Sequence, residues 1–587
     1  MTTTDAPIER KLDPITFEVL RRAFEYASER MSQVLQKASF SPIIYDMVDY
    51  SNAIFDPDVE LIGQTANCPV HIAAMHFSAR ASLKRYPLSE LGPDDVVILN
   101  DPYQGGTHTP DVTMTMPIFH DDELLAIAVS RAHWTDVGGN LDTHIAGEGL
   151  RLPPLMLYQD GQLNKDLVQI IKNSTRTPQY VEGDIQAQLG ALRAARDEMQ
   201  RLAAKYGAHV MRQGMTEVLD YTQRMTAAAI RRIPDGVYEG EDYVDSDGFS
   251  DDPVYVRVKL IVDDDRIEVD MTGSDAATVG PINSPYANTA SAIYYSLKFF
   301  LNPGAPPNAG LYRQIDLTIP EGTWLNPSWP SPTFGCTTAA SSKITAAIWL
   351  ALAKAIPDQV NAPGCSECNW FVASAADPET GEIAIVSDLP AGGWGGTPFS
   401  DGMHVTMDPL GNCQNLPAET AELLFPVRYN SYEMITDSAG PGRFRGGCGV
   451  RLEVEFLGRG QIITMETSRT REGSPGVNGG QRASRQKQLR KVAGGELETI
   501  GGLAEDGSWY PQMLGNVAFK PGEAFVFESG GGGGWGDPLE RDPALVAQDV
   551  RNGIVSPEQA ESAYGVVLTG AGAFEVDQQA TQERRNS

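Results

Sequence analysis

Six of the eight histidines fall in the first 150 residues, at positions 71, 76, 108, 120, 133 and 144. Two of them stand close to a carboxylate in a way that would let the three groups share one ion. The segment Asn100-Asp-Pro-Tyr-Gln-Gly-Gly-Thr-His108-Thr-Pro-Asp111 follows the apolar run Val96-Val-Ile-Leu99. Gly105 and Gly106 allow a tight turn there, and Pro110 stiffens the approach to Asp111. The runs Val112 to Phe119 and Leu124 to Ser130 read as strands, joined by a hairpin turn at His120-Asp-Asp-Glu123. If the turn is centred between Asp121 and Asp122, paired residues sum to about 243, which sets Asp111 opposite residue 132. His133 is then within one residue of Asp111, and His108 overhangs the same end of the hairpin. Two imidazoles and a carboxylate form an N/O donor set for zinc, manganese or iron(II), with positions left open for water or substrate. Asp136, three residues beyond His133, is the candidate base or ligand-orienting group. Gly138 and Gly139 after it favour close backbone approach.

Other patterns do not carry chemistry. Gly531 to Gly536 satisfies GxGxxG, but Trp-Gly-Asp-Pro538 follows where a dinucleotide fold needs a helix N-terminus. No GxxxxGK[ST] occurs, so this chain has no recognisable phosphate-binding loop. Cys365 and Cys368 form a single CxxC without the second pair that a structural zinc site requires. Asp245-Ser-Asp-Gly248 fails as a calcium loop because its first and twelfth ligand positions would be Tyr243 and Val254. Arg482, Arg485, Lys487, Arg490 and Lys491 form the one basic cluster and read as a solvated loop or a partner contact.

The elements that must position the donors are helices and short strands. Apolar residues at helical spacing predict a helix from Asp13 to Lys37, another from His71 to Tyr86, and two long helices between 178 and 232 that break at Gly207. Ile185, Leu189, Leu192, Met199 and Leu202 share one face. The acidic stretch from Glu239 to Asp270 reads as strands with a solvated face. Helices are expected near Asn288 to Phe300 and Ala339 to Ala355, strands from Phe444 onward, and short helices at Ala544 to Asn552 and Pro557 to Tyr564. The tail beyond Thr569 is expected to fray. The whole is expected to be α+β, a large mixed-sheet core with long helices and a bilobed outline. Its regions are 1–175 (metal site), 176–235 (paired helices), 236–440 (central α+β), 441–540 (strand- and glycine-rich) and 541–587 (helices and tail).

Composition narrows the function. Lys and Arg number 46 against 77 Asp and Glu, for a formal charge of −31. Such a surface field disfavours nucleic acid and anionic membranes. No stretch approaches a membrane span, and the N-terminus lacks the apolar core of a leader. Six scattered cysteines fit a reducing cytoplasm better than a disulfide framework.

The two segments Asn100 to Val112 and His133-Trp-Thr-Asp-Val-Gly-Gly139 resemble the hydantoinase B/oxoprolinase family. So do Asp49-Tyr-Ser-Asn-Ala-Ile-Phe-Asp56, Gly280-Pro-Ile-Asn-Ser-Pro285, Asn308-Ala-Gly310, Asn415-Leu-Pro-Ala-Glu419, Gly442 to Gly449 and Gly530 to Pro538. The resemblance implies that His108, Asp111 and His133 bind one divalent metal, with Asp49 as a further ligand. It implies a partner, a hydantoinase A-type subunit that binds ATP-Mg, in a heterotetramer or larger assembly. It further implies ATP-dependent opening of a cyclic amide, a lactam or hydantoin, after phosphorylation of the carbonyl oxygen. A ketone carboxylase subunit is the alternative within the family, although carboxylase versions are generally longer. A non-catalytic scaffold for the ATP-binding subunit is the third reading. Trp134, Tyr103, Phe334 and Trp394 are candidates for an apolar substrate pocket, with core packing as the competing role of each.

Overall fold

Asp13 accepts hydrogen bonds from the backbone N–H groups of Ile15 and Thr16, and so caps the first helix, Pro14–Ala38. The computed structural model describes residues 11–65, 67–71, 73–365, 369–464, 468–510, 515, 517–570 and 574–586. Behind the first helix stands a seven-stranded antiparallel sheet. Its strands are β1 (Tyr50–Phe55), β2 (Leu61–Thr65), β3 (Val96–Leu99), β4 (Asp111–His120), β5 (Glu123–His133), β6 (Leu155–Gln159) and β7 (Gln162–Leu163), in the order β2-β1-β5-β4-β3-β6-β7.

The central strands are buried on both faces; β5 accordingly reads as a near-continuous apolar run, whereas β4 alternates its apolar residues with the small, buried Thr113 and Thr115. The helix Pro178–Tyr206 packs on β4 and β5 from one side, beside the first helix, and Ala74–Arg85 lies against them as well. Ile185, Leu189, Leu192, Met199 and Leu202 are all buried, as their spacing predicts. Gly207 separates that helix from Ala208–Ile230. The second predicted helix begins later than expected. His71 belongs to a short 3-10 turn, Pro69–His71, and the helix proper starts at Ala74.

The acidic stretch builds a four-stranded sheet from Gly236–Val244, Val254–Asp263, Arg266–Asp270 and Ile315–Thr318. Val254, Val256, Val258, Leu260 and Val262 turn inward while Arg257 and Lys259 face outward, so the charges do lie on a solvated face. Within the basic cluster, Lys487 pairs with Glu505, Lys491 with Glu453 and Arg482 with Glu472. A third sheet joins Phe371–Ala376, Ile383–Asp388, Gly460–Thr464 and Val517–Phe519, and a fourth, six-stranded one contains Val450–Phe456 and Ala524–Glu528. One hydrophobic cluster runs through all of this, from Leu20 to Phe527. With helices and several mostly antiparallel sheets, the fold is α+β. Among the described residues, no helix is long and apolar enough to cross a membrane.

Two expectations change. The segment beyond Thr569 does not simply fray: it ends in the helix Gln578–Asn586, where Thr581 is buried and Arg585 donates to the Tyr564 carbonyl. The glycine-rich runs are places where backbones touch. Gly447 N–H donates to the Trp394 carbonyl, and Gly532 N–H donates to the Gly447 carbonyl. A Cβ on Gly447 would lie 1.7 Å from the Met403 carbonyl oxygen, so no larger residue fits without moving main chain. Of the CxxC pair, Cys365 is buried, and Cys368 lies outside the described residues.

Gly447→Ala should therefore cost about 3 kcal/mol or more, at the upper end for overpacking. Gly494→Ala, where a Cβ meets nothing within 4 Å, should leave stability unchanged. Thermal or urea unfolding of the two variants checks this, and equal melting points would refute the close-contact role.

Candidate metal centre

The hairpin register decides where the donors meet. At the turn, His120 faces Glu123 and Phe119 faces Leu124; a bulge between Ile118 and Phe119 then shifts the pairing by one residue. Asp111 consequently lies directly opposite His133, one step from the position that the regular hairpin predicts. On its other edge β5 pairs with β1, Tyr50 opposite Ala132, and His133 N–H donates 3.0 Å to the Asp49 carbonyl. Asp49, His133 and Asp111 thus form a row across the ends of three neighbouring strands. Val48, a β-branched residue at φ +62°, turns the chain immediately before Asp49.

His108 arrives from the loop ahead of β4. Gly105 sits at φ +92°, with its α-carbon so close to the Phe77 carbonyl that a Cβ would lie 2.5 Å from that oxygen. The Asn100 side-chain amide ties the loop to the Thr109 carbonyl. His108 Nδ1–H donates 2.9 Å to the Phe334 carbonyl, leaving Nε2 turned inward, 3.4 Å from Asp111 Oδ1. Thr107 Oγ1–H donates to Asp111 Oδ2, and His71 Nε2 lies 3.3 Å from the same oxygen. The His108 and His133 rings are 5.1 Å apart.

Two further residues that could serve as donors, His71 and Cys68, reach the same place and were not singled out from the sequence. The ligand atoms of Asp49, Cys68 and His71 all lie within 4.8 Å of one another. Their signal was Cys68-Pro-Val-His71, an i, i+3 spacing like that of His108 and Asp111. The other clustered histidines stand elsewhere: His76 is half-buried against Phe55 and Phe77, His120 sits beside Asp121 in the turn, and His144 caps Ala146 N–H.

The centre's electrostatics suit a cation. Burial and the neighbouring His108 push His133 down to about 3, so it is a neutral imidazole. Burial pushes Asp49 up to about 6. Against burial, His108 and His71 hold the Asp111 carboxyl well below the usual range. His133 Nδ1 and Asp111 Oδ1 are buried without hydrogen-bond partners, the condition of atoms placed as donors to an ion. Imidazoles, carboxylates and a thiol around a small cavity fit a divalent metal.

His133 and Trp370 also line a second, adjoining cavity of about 100 Å³, several times what one water occupies and enough for a small ring. Phe334 and Trp370 form its aromatic wall, stacked at 5.5 Å and 13°. Trp370 was not foreseen. Of the four aromatic candidates only Phe334 lines this cavity. Trp134 is buried on Gln188, Trp394 packs among Phe299 and Trp349, and Tyr103 hydrogen-bonds the Ser331 carbonyl. Glu148, also missed, accepts from Thr333 and Phe334 N–H at 2.8 Å each, which fixes the Phe334 carbonyl under His108; burial raises this carboxyl to about 8.

Asp136 lies on the rim of the second cavity and not with the donors. Its carboxylate pairs with Arg176 and accepts from Thr175 Oγ1–H, Arg176 N–H and Gly138 N–H. Despite burial these bonds hold it below the usual carboxylate range. A carboxylate so engaged is a poor proton acceptor; what it does is tie the 136–138 loop to the 175–176 segment.

The hydantoinase B/oxoprolinase profile matches residues 13–538. The chain belongs to that family. It is 32% identical to the beta chain of the caprolactamase of Pseudomonas jessenii, over 98% of this chain and 99% of that one. The solved ATP-dependent caprolactamase of that organism superposes with a TM-score of 0.88 at 31% identity, covering 98% and 100% of the two chains. The B-type subunit of a putative D-/L-hydantoinase from Pseudomonas sp. strain NS671 is 30% identical over 98% of each chain. A nucleotide-free acetone carboxylase structure shares the fold, with a TM-score of 0.86 at 20% identity, over 98% of this chain and 82% of the other.

If the donors bind an ion, the purified chain should carry about one divalent metal, and His108→Ala with Asp111→Ala should lose it without losing secondary structure. Asp136→Asn should keep it. Elemental analysis beside circular dichroism reads both. Full occupancy in the double variant would end the assignment, and metal loss in Asp136→Asn would put Asp136 among the ligands.

Proposed function

We propose that this chain is the metal-holding B-type subunit of an ATP-dependent cyclic-amide hydrolase, acting with a hydantoinase A-type subunit that binds ATP-Mg. The observation that carries this reading is the donor cluster opening, through His133, onto a cavity with a flat aromatic wall. Near-complete mutual coverage with a caprolactamase beta chain supports hydrolysis over carboxylation, since the chain covers less of the carboxylase.

Amide resonance makes an unstrained lactam or hydantoin a weak electrophile. Phosphoryl transfer from ATP to the carbonyl oxygen gives an imidate-type phosphate. Water then adds at the ring carbon, the C–N bond breaks with a proton delivered to nitrogen, and a second water hydrolyses the resulting acyl phosphate to carboxylate and inorganic phosphate. A divalent metal held by Asp49, His108, Asp111 and His133 would supply Lewis acidity toward a carbonyl oxygen or a water. The chain's own residues do the positioning. His108 is locked in one tautomer by Phe334. Phe334 and Trp370 offer a planar ring an apolar face and keep bulk water from it. The Asp136–Arg176 pair braces the opposite rim of the cavity.

The test is ATP turnover by the chain co-expressed with its A-type subunit, on a panel of lactams, hydantoins and ketones, with and without bicarbonate. Ring-opened product with lactams or hydantoins, independent of bicarbonate, is expected. Bicarbonate-dependent turnover of ketones would instead make this a carboxylase subunit. In the active pair, Trp370→Ala should raise KM about tenfold, the loss of an aromatic contact worth about 1.4 kcal/mol. An unchanged KM would place the ring elsewhere.

A further inference from the structure

We propose that Cys68 is itself a ligand of the divalent ion, so that this centre is a mixed nitrogen, oxygen and sulfur site that selects zinc-like ions over manganese. The inference rests on the metal-centre reading above and adds a donor to it.

The candidate ligand atoms converge on one small space. Two ligands on opposite sides of an ion at about 2.0–2.3 Å each stand at most about 4.6 Å apart. The ligand atoms of Asp49, Cys68 and His71 lie within 4.8 Å of one another, so an inward shift of these side chains would bring all three onto one ion. His71 is aimed for the role: its Nδ1 meets Ser51 Oγ at 3.2 Å, and its Nε2 faces Asp111 Oδ2. The turn carrying Cys68 is pinned at both ends. Cys68 N–H donates to Ser51 Oγ, His71 N–H donates to the Cys68 carbonyl, and Val70 N–H donates to the Leu410 carbonyl. Main-chain contacts therefore hold the turn that carries the thiol. Sγ makes a weak 3.8 Å contact to the Leu410 carbonyl and lies within hydrogen-bonding reach of Asp49 and Cys413. It lines the same cavity as Asp49, His71, His108, Asp111 and His133.

Coordination would release the thiol proton to solvent and leave sulfur as a soft anionic donor. Thiolate ligation favours zinc, iron(II) and cobalt(II) over manganese and magnesium, which prefer all-oxygen or oxygen–nitrogen shells. Cys413, which lines the same cavity and lies within hydrogen-bonding reach of Cys68, is the comparison position.

The test uses the full-length chain, stripped of metal and reloaded with cobalt(II), whose thiolate complexes show an intense sulfur-to-metal charge-transfer band in the near ultraviolet. The wild type and Cys413→Ser should show the band. Cys68→Ser should lose it while still binding cobalt, and its preference for zinc over manganese in competition should fall by about tenfold or more. Cys68→Ala should behave the same way, which guards against a serine that ligates in its turn. Bound cobalt without the band in the wild type, or a band that survives both Cys68 substitutions, would overturn the proposal. A chain that takes up no divalent ion would overturn the metal-centre reading as well.

Discussion

The pairing of β5 with both of its neighbours is the constraint on which the rest depends. A strand ladder transmits position from one chain segment to the next with an error of a fraction of an ångström, because each residue is held by its main chain and not by a flexible side chain. Here it carries Asp49, His133 and Asp111 into one row from three separate parts of the sequence. Register is a discrete variable. Sliding by one residue would send these side chains to the opposite face of the sheet. The bulge at Ile118 is what converts a near miss into direct opposition, so one inserted residue near the turn sets the geometry at the far end of the hairpin.

A buried group of this kind is costly. Isolated charges inside a protein lose hydration worth several kcal/mol each, and recover it only through partners. The structure supplies those partners unevenly. Asp111 has His71, His108 and Thr107 around it, and Arg131, wholly buried two residues before His133, is anchored by Thr113 and Ser78. His133 Nδ1 and one Asp111 oxygen are left without partners. A fold selected for stability alone would fill such vacancies or replace the groups with apolar ones. Holding the groups in place by Ser51, Phe334 and Glu148 while leaving their inner atoms bare is the pattern expected where something is to be bound.

The cavity next to the centre shows how distant segments complete it. The N-terminal sheet presents His133, while the aromatic wall comes from Phe334 and from Trp370 at the start of a strand in the third sheet. The glycine-rich crossings near Gly393, Gly447 and Gly532 let the loops behind that sheet pack main chain against main chain. Asp136 belongs to this outer framework. Its proximity to His133 in sequence made it a natural base, but Arg176, forty residues on, claims its carboxylate.

Local signals were enough for most of the elements. Helical spacing located the long helices between 178 and 230, the Asp-Asp turn located the hairpin, and the two-residue period located the solvated sheet, because each depends on neighbours within a few residues. The same locality brought His108, Asp111 and His133 to one end of a hairpin, and family resemblance added Asp49. Cys68, His71, Glu148 and Trp370 were not reached: the Cys68-to-His71 spacing is a weak local hint, and nothing near Glu148 or Trp370 distinguishes them from packing residues. What places them is contact across large sequence separations: His71 with Asp111, Glu148 with Phe334, Trp370 with His133. By itself the sequence determined which residue types were present and how each short segment would fold. Only the tertiary structure decided which of them share a cavity, because that choice is made by sheet order, a single bulge and the packing of segments hundreds of residues apart.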